Sequence, residues 1–125
     1  MSDLDLGWPR WIGVVADDLG AQRRFYRDVL GLQELEAGQG WIEFDMGAGR
    51  KLEVLARDPD TPQYADRGYK VGFTVEDIRA AADELVARGV ERVSDVEGGP
   101  ESGQYWCYFR DGEGNLFEIA QKIEG

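Results

Sequence analysis

The chain has 125 residues, with 14 lysines and arginines against 25 aspartates and glutamates, so its formal net charge is −11. This length suits one compact domain, and the 42% hydrophobic and 31% charged residues are typical of a globular protein rather than a disordered one. Since an acidic chain has no basic excess with which to displace counterions, we expect no nucleic-acid partner. The absence of histidine excludes Ser-His-Asp triads, imidazole bases and HExxH zinc sites.

Cysteine and targeting patterns narrow the class of protein further. Cys107 is the single cysteine, which excludes an internal disulfide and a cysteine-pair zinc site. The first residues lack the positive and apolar regions of a signal peptide, and no apolar run approaches the ~20 residues that a membrane helix needs. We therefore expect a cytoplasmic protein that does not bind membranes.

Two segments have the pattern of amphipathic helices. The first covers residues 19–30, with Asp17 or Asp18 as its cap, and the second covers residues 78–88, with Asp77 as its cap. A glycine follows each segment and ends the helix. The predicted apolar stripes are Leu19, Phe25, Tyr26, Val29 and Leu30 in the first helix, and Ile78, Ala81, Ala82, Leu85 and Val86 in the second.

Most of the remaining chain has the pattern of short strands. The predicted strands are Trp11–Ala16, 33–36, 41–46, Lys51–Ala56, 70–75, 90–93, Gln104–Arg110 and 116–121. The polar run over residues 57–68 contains two prolines and has the composition of a linker.

The element order repeats, and residue offsets support a duplication. Like residues recur as Gly13 and Gly72 and as Asp18 and Asp77 at an offset of 59, and then as Trp41 and Trp106, Phe44 and Phe109, and Glu53 and Glu118 at an offset of 65. One insertion in the second copy explains the single change of offset. We therefore expect two βαβββ modules, residues 9–57 and 69–122, joined by a linker over residues 58–68 into one domain.

Two motifs connect this arrangement to a known family. Residues 25–32 (FYRDVLGL) and 108–119 (YFRDGEGNLFEI) resemble the first-helix and closing signatures of the vicinal oxygen chelate superfamily, which includes glyoxalase I, bleomycin-resistance proteins, fosfomycin-resistance proteins and extradiol dioxygenases. The resemblance covers about residues 9–122, with Gly112 where the family usually has proline. It implies an α+β fold in which the sheets of two modules curl into a cup. Helices would cover the convex face, and the ligand, with a metal in many members, would lie in the concave face.

Alternation along the strands predicts which side chains line the concave face. Successive residues of a strand point to opposite sides, so the purely apolar set of each strand is expected under the helices. The mixed aromatic and charged set is then expected on the concave side. That set is Trp11, Trp41, Glu43, Glu53, Lys70, Trp106, Tyr108, Arg110 and Glu118.

The positions that bind metal in the family do not all carry ligands here. Carried over from the resemblance, those positions are Trp11, Glu53, Lys70 and Glu118, where the family commonly has two histidines and two glutamates. Indole has no free lone pair and an ammonium has no acceptor, so we expect no metal or other cofactor. Instead of binding a metal, Lys70 is expected to neutralise the negative charges of Glu53 and Glu118.

Three functions follow as hypotheses. The first is a metal-free aromatic and acidic pocket that binds a planar or cationic small molecule, in a homodimer similar to the bleomycin-resistance proteins, and sequesters an antibiotic. Its ligand-binding residues would be Trp11, Trp41, Glu43, Trp106, Tyr108 and Arg110. The second is a metal-independent glyoxalase-like lyase or isomerase, with Glu118 or Glu53 as general base and Lys70 or Arg110 holding an anionic substrate. The third is an enzyme with a weak divalent-metal site on the two glutamates.

Overall fold

A computed structural model of the chain describes Leu4 and residues 6–123. The described residues form two compact units, a first unit of Arg10–Lys70 and a second unit of residues 4, 6–9 and 71–123. Each unit combines helices with a mixed sheet. This confirms the predicted α+β class.

The first unit begins with the strand β1 (Trp11–Ala16) and the helix α1 (Leu19–Arg24), which continues into a π-helical turn over Phe25–Val29. The strands β2 (Glu34–Gly38), β3 (Trp41–Asp45) and β4 (Lys51–Ala56) and the short helix α2 (Pro62–Ala65) follow. The strand order is β2-β3-β4-β1. β1 pairs with β4 in parallel, and the other pairs are antiparallel.

The second unit repeats this plan. The strand β5 (Gly68–Thr74) crosses the boundary between the units and leads to the helix α3 (Ile78–Ala87). The short strands β6 (Glu91–Arg92) and β7 (Glu97–Gly99) precede β8 (Gln104–Arg110) and β9 (Leu116–Lys122). β5 pairs with β9 in parallel, whereas β6, β7 and β9 are antiparallel to β8.

The strand registers of the two units repeat at equivalent positions. Gly13 lies opposite Glu53 in the first unit, and Gly72 lies opposite Glu118 in the second. These are the same pairs of positions at the predicted offsets of 59 and 65. The helix caps also repeat, since the carboxylates of Asp18 and Asp77 accept from backbone N–H groups at 2.9 and 3.1 Å.

Each unit buries the apolar face of its strands, as the alternation predicts. The first core contains Val14, Ala16, Tyr26, Ile42, Phe44, Leu52 and Val54. The second contains Val75, Ile78, Ala81, Ala82, Leu85, Cys107, Phe109 and Ile119. Burial raises the pKa of Cys107 to about 11, so its thiol stays protonated and inert at neutral pH.

The predicted apolar stripe of the first helix is wrong in its second half. Of that stripe only Tyr26 is buried, whereas Val29 is 70% exposed and Phe25 and Leu30 are also exposed. The physical reason is the π-helical turn, in which Leu30 N–H donates to the Phe25 carbonyl at 3.0 Å. A turn with five-residue spacing changes the direction of the residues that follow, so a period of 3.6 residues no longer describes them.

Other elements differ from the sequence prediction at their edges. β1, β4 and β8 have the predicted bounds, whereas residues 90–93 form a strand only at Glu91–Arg92. β7 was missed because Glu-Gly-Gly lacks the β-branched and aromatic residues that mark strands. The polar run predicted as a linker contains α2. In the described part of the chain, no helix has the length and apolar character that crossing a membrane requires.

The fully buried Phe44 offers a test of the first core. We expect Phe44→Ala to lower the free energy of unfolding by about 3–5 kcal/mol, because it removes buried apolar area and leaves a cavity. Val29→Ala, at a mostly exposed position, is the control and should change it by less than about 0.5 kcal/mol. Urea unfolding followed by circular dichroism measures both values, and equal losses in the two variants would contradict the assigned core.

Candidate functional site

One face of the first unit's sheet carries several of the aromatic and acidic residues that the sequence predicts on a common face. Glu53 on β4 lies directly opposite Glu43 on β3 and beside Gly13 on β1. Two residues along β3, Trp41 lies opposite Leu55 on β4. Directly paired residues share a face of the sheet, so these side chains lie on the side opposite the first core.

A hydrogen bond from Trp11 fixes the carboxylate of Glu53. The indole Nε1–H of Trp11 donates to Glu53 Oε1 at 2.9 Å. The indole ring packs over Gly13, where a Cβ would clash with it. A glycine two residues after Trp11 is therefore required for this ring position, and the Trp-Ile-Gly sequence at the start of β1 is the signal for it.

The environment of Glu53 favours its neutral form. Burial raises the pKa of Glu53 above its usual range, and the negative charge of Glu43 adds to the increase. The hydrogen bond from Trp11 and the charge of Lys51 act in the opposite direction. A carboxyl group with a raised pKa is a stronger base than an ordinary carboxylate and is better suited to accepting a proton.

Three glutamates form a row across the first unit. Glu36 on β2 lies opposite Glu43, which in turn lies opposite Glu53. Like charges directly opposite one another on a sheet are destabilising. A partial counter-charge comes from Lys51, whose Nζ lies 3.4 Å from Glu43 Oε1. Glu36 was missed as a site residue because the weak strand predicted over residues 33–36 did not give its register.

A cleft of about 280 Å³ is lined by residues at the start of β3 and the end of β4. Its lining residues are Gln39, Gly40, Trp41, Leu55, Ala56, Arg57, Asp58 and Tyr64. Trp41 and Tyr64 supply aromatic surface, and Trp41 is on the same side of β3 as Glu43. The sequence predicts a ligand role for Trp41, but Tyr64 lies in the polar run for which no site position was predicted.

The residues at the family's metal positions in this unit do not suit a metal ion. At the first position, the indole N–H of Trp11 points at the oxygen of Glu53 and occupies it as a donor. Lys70 is buried and donates from Nζ to the carbonyl of Asp66 at 2.9 Å. Neither side chain offers an electron pair to a cation. Within the described residues, no group of three or more Asp, Glu or Cys side chains could hold a metal ion.

The second unit places its predicted residues on one face of β8 and β9. Tyr108 lies opposite Glu118, and Trp106 lies opposite Ala120. Tyr108 and Glu118 are both buried. Arg110 Nη1 donates to the carbonyl of Gly114 at 3.0 Å, in the turn between the two strands.

Two groups of predicted site residues are thus brought together, each within its own unit. Trp11, Trp41, Glu43 and Glu53 share the face of the first unit's sheet that lies opposite its core. Trp106, Tyr108, Arg110 and Glu118 share one face in the second unit. Sequence reasoning also missed Glu97, which lies opposite Trp106 on the unpredicted strand β7.

The raised pKa of Glu53 predicts a pH dependence of stability. A carboxyl whose folded pKa lies above its ordinary value of 4.5 contributes stability that is present below that pH and lost as the pH rises through the folded pKa. We therefore expect the free energy of unfolding of the wild type, relative to Glu53→Gln, to fall as the pH rises above 4.5. Urea titrations at a series of pH values below and above 4.5 measure the difference.

Two further variants complete that measurement. Trp11→Phe removes the N–H donor that lowers the pKa of Glu53, so the fall should move to higher pH. Glu101→Gln, in an exposed turn, is the control. The free energy of unfolding of the wild type relative to this variant should not fall as the pH rises. A wild type that gains stability over Glu53→Gln as the pH rises would contradict the assigned environment of Glu53.

Comparisons with known proteins place the chain in a family. The model of the Glyoxalase/Bleomycin resistance protein/Dioxygenase superfamily matches residues 8–119. A search of curated proteins finds no significant match.

Several solved structures share the fold. A hypothetical protein from Bacillus halodurans C-125 has a TM-score of 0.74 at 22% identity, covering 94% of this chain and 96% of that one. A Streptomyces coelicolor methylmalonyl-CoA epimerase in complex with 2-nitronate-propionyl-CoA has a TM-score of 0.72 at 22% identity, covering 96% and 100%. A Mn(II)-bound glyoxalase from Novosphingobium aromaticivorans has a TM-score of 0.71 at 21% identity, covering 94% of this chain and 40% of that one. With the family match spanning most of its length, the chain belongs to the glyoxalase/bleomycin resistance protein/dioxygenase superfamily.

Proposed function

We propose that the chain binds a planar, cationic small molecule on the face of its first unit that lies opposite the core, and that it acts by sequestering that molecule. The observation that carries the proposal is the row of Glu36, Glu43 and Glu53 beside the cleft that Trp41 lines. An antibiotic of this chemistry is one candidate ligand. The net charge of −11 adds long-range attraction for a cation.

The glutamate row supports a positively charged ligand. Three carboxylates on neighbouring strands repel one another, and the lysine ammonium beside the row lies 3.4 Å from Glu43, at the long end of an ion pair. A ligand cation placed among the carboxylates relieves this repulsion. The attraction is strong at Glu53, because this carboxylate is largely buried away from water.

The cleft supports a planar group next to that charge. Its volume of about 280 Å³ is close to the lower limit of roughly 300 Å³ for small-molecule pockets, and so suits a compact ring system. The indole of Trp41 can stack on such a ring and attract its charge, a contact worth ~0.5–2 kcal/mol. Since Trp41 and Glu43 are two residues apart on one strand, ring and charge would be separated by about 7 Å.

Isothermal titration calorimetry with a matched pair of probes tests the proposal. N-methylquinolinium and quinoline have nearly the same shape, but only the first carries a permanent charge. We expect the cation to bind at least about tenfold more tightly, and Glu43→Gln to reduce its affinity about fivefold or more. Glu101→Gln, which removes the same charge from an exposed turn, serves as control and should leave the affinity within about twofold.

Bleomycin is the second probe, because it tests whether the bound molecule is an antibiotic.

The proposed site is supported if N-methylquinolinium binds the wild type and Glu101→Gln equally well but binds Glu43→Gln more weakly. Equal affinity for the charged and neutral probes, or equal losses of affinity in the two variants, would contradict the assignment of the binding site to the glutamate row.

A second candidate is a metal-independent enzyme that moves a proton, and the raised pKa of Glu53 favours it. A buried carboxylate aligned by the Trp11 hydrogen bond has the character of a general base. Epimerases among the structures that share the fold are active on a CoA thioester, which makes methylmalonyl-CoA a reasonable trial substrate.

Deuterium incorporation from D₂O into methylmalonyl-CoA, measured by mass spectrometry, tests the second candidate. If Glu53 is the base, Glu53→Gln should lower exchange by about 100-fold or more, with Glu101→Gln as an active control. A selective loss in Glu118→Gln would assign the base to Glu118 instead. Exchange by the wild type no faster than in buffer would remove this activity.

A further inference from the structure

The second unit has a cavity of about 220 Å³ on the face of its sheet that α3 covers. Arg92 on β6 pairs directly with Phe109 on β8, so the two side chains share a face, and Phe109 packs in the second core with residues of α3. Trp106 and Tyr108 alternate with Phe109 along β8 and lie on the other face. The residues that line the cavity are Arg79, Ala82, Asp83, Arg92 and Val96.

The helix α3 supplies one wall of this cavity. Arg79, Ala82 and Asp83 are spaced by three and four residues, which places them on one side of the helix. Ala82 is buried, and Val96 packs against the second core, so these two small apolar side chains form the floor. The charged side chains of Arg79, Asp83 and Arg92 are exposed and form the rim.

Two contacts hold the guanidinium of Arg92 at this rim. Its Cζ lies 5.9 Å from the centroid of the Phe109 ring, and its Nε–H donates to the carbonyl of Ser94 at 2.9 Å. Within Leu4 and residues 6–123, the terminal Nη groups of Arg92 make no hydrogen bond or ion pair. A guanidinium that is already oriented loses less conformational freedom when it binds an anion.

The charge of Arg79 also lacks a counter-charge from the described part of the chain. Arg79 lies in the first turn of α3, where the helix dipole disfavours a cation and where no acidic residue is present. Asp83 is four residues further along, at a spacing suited to an ion pair, yet the two side chains form none. An anion bound between Arg79 and Arg92 would therefore compensate charges that these residues leave uncompensated.

We propose that this cavity binds a small carboxylate that carries an O–H or N–H donor beside its carboxylate group. The carboxylate accepts from the guanidinium groups of Arg79 and Arg92, and the adjacent donor binds the carboxylate of Asp83. A carboxylate matches the planar fork of a guanidinium. A phosphate group would bring more than one negative charge close to Asp83.

This site goes beyond the proposed function, because it lies entirely within the second unit and does not use the glutamate row of the first. It also lies on the face of β8 opposite that of Trp106 and Tyr108. Failure of one proposal would thus leave the other unaffected.

An NMR titration with three probes tests the site. Malate has carboxylates and a hydroxyl donor, succinate lacks the hydroxyl, and dimethyl malate lacks the negative charges. We expect malate to shift the assigned backbone amide signal of Ala82 and the Nε–H signal of Arg92. Its affinity should be at least about tenfold higher than that of dimethyl malate and about threefold or more above that of succinate.

Substitutions separate the two arginines from the general charge of the unit. Arg79→Gln and Arg92→Gln should each reduce the malate affinity about fivefold or more. Arg88→Gln is the matched control, because it removes the same charge from the other end of α3, outside the cavity. It should leave the affinity within about twofold. Asp83→Ala should remove the preference for malate over succinate, since the acceptor for the hydroxyl is lost.

Thermal unfolding shows whether a loss of binding reflects a loss of structure. Arg79→Gln should keep or raise the thermal midpoint, because the first turn of a helix disfavours a cation. Equal malate affinity in the wild type and Arg92→Gln, or an equal loss in Arg88→Gln, would overturn the site. A preference for malate that persists in Asp83→Ala would contradict the assigned donor. Glu43→Gln should weaken N-methylquinolinium and leave malate binding unchanged.

Discussion

The hydrogen bond from Trp11 to Glu53 is the interaction on which the first unit's site depends. It holds a largely buried carboxylate in one orientation at the position where the family commonly binds a metal. An indole in place of an imidazole turns an electron-pair donor into a hydrogen-bond donor, so the carboxylate is stabilised by a neutral N–H instead of a metal ion. The site is thereby left with net negative charge, which suits a cation or a proton.

The same backbone register carries different chemistry in the two units. Gly13 beside Glu53 and Gly72 beside Glu118 occupy equivalent pairs, so both units have a glutamate next to a glycine on parallel strands. The position opposite that glutamate has diverged, since it is Glu43 in the first unit and Tyr108 in the second. In the first unit the carboxylate of the glutamate therefore lies beside another carboxylate, whereas in the second unit it lies beside an aromatic ring.

Much of the fold could be predicted from the sequence because its signals are local. The aspartate caps, the two-residue alternation of β1, β4 and β8, and the offsets between the copies depend on residues close in the chain or identical between copies. The π-helical turn after α1 could not be predicted, because its residues also fit an ordinary helix. The positions of Glu36 and Glu97 on the sheet could not be predicted for another reason. Glu36 follows a bulge that changes the strand register, and Glu97 lies on a strand of only three residues.

The parallel pairing of β1 with β4 also has a consequence for how the chain folds. The Trp11–Glu53 contact joins residues 42 positions apart, whereas β3 and β4 are neighbours in sequence. Closing a long loop costs more chain entropy than forming a hairpin, so the Trp11–Glu53 contact is more costly in entropy than the contacts between β3 and β4. In the second unit, the parallel pairing of β5 with β9 also joins strands that are far apart in sequence. The row of glutamates is therefore built by strands that are neighbours in sequence, whereas the hydrogen bond that orients Glu53 depends on a long-range pairing.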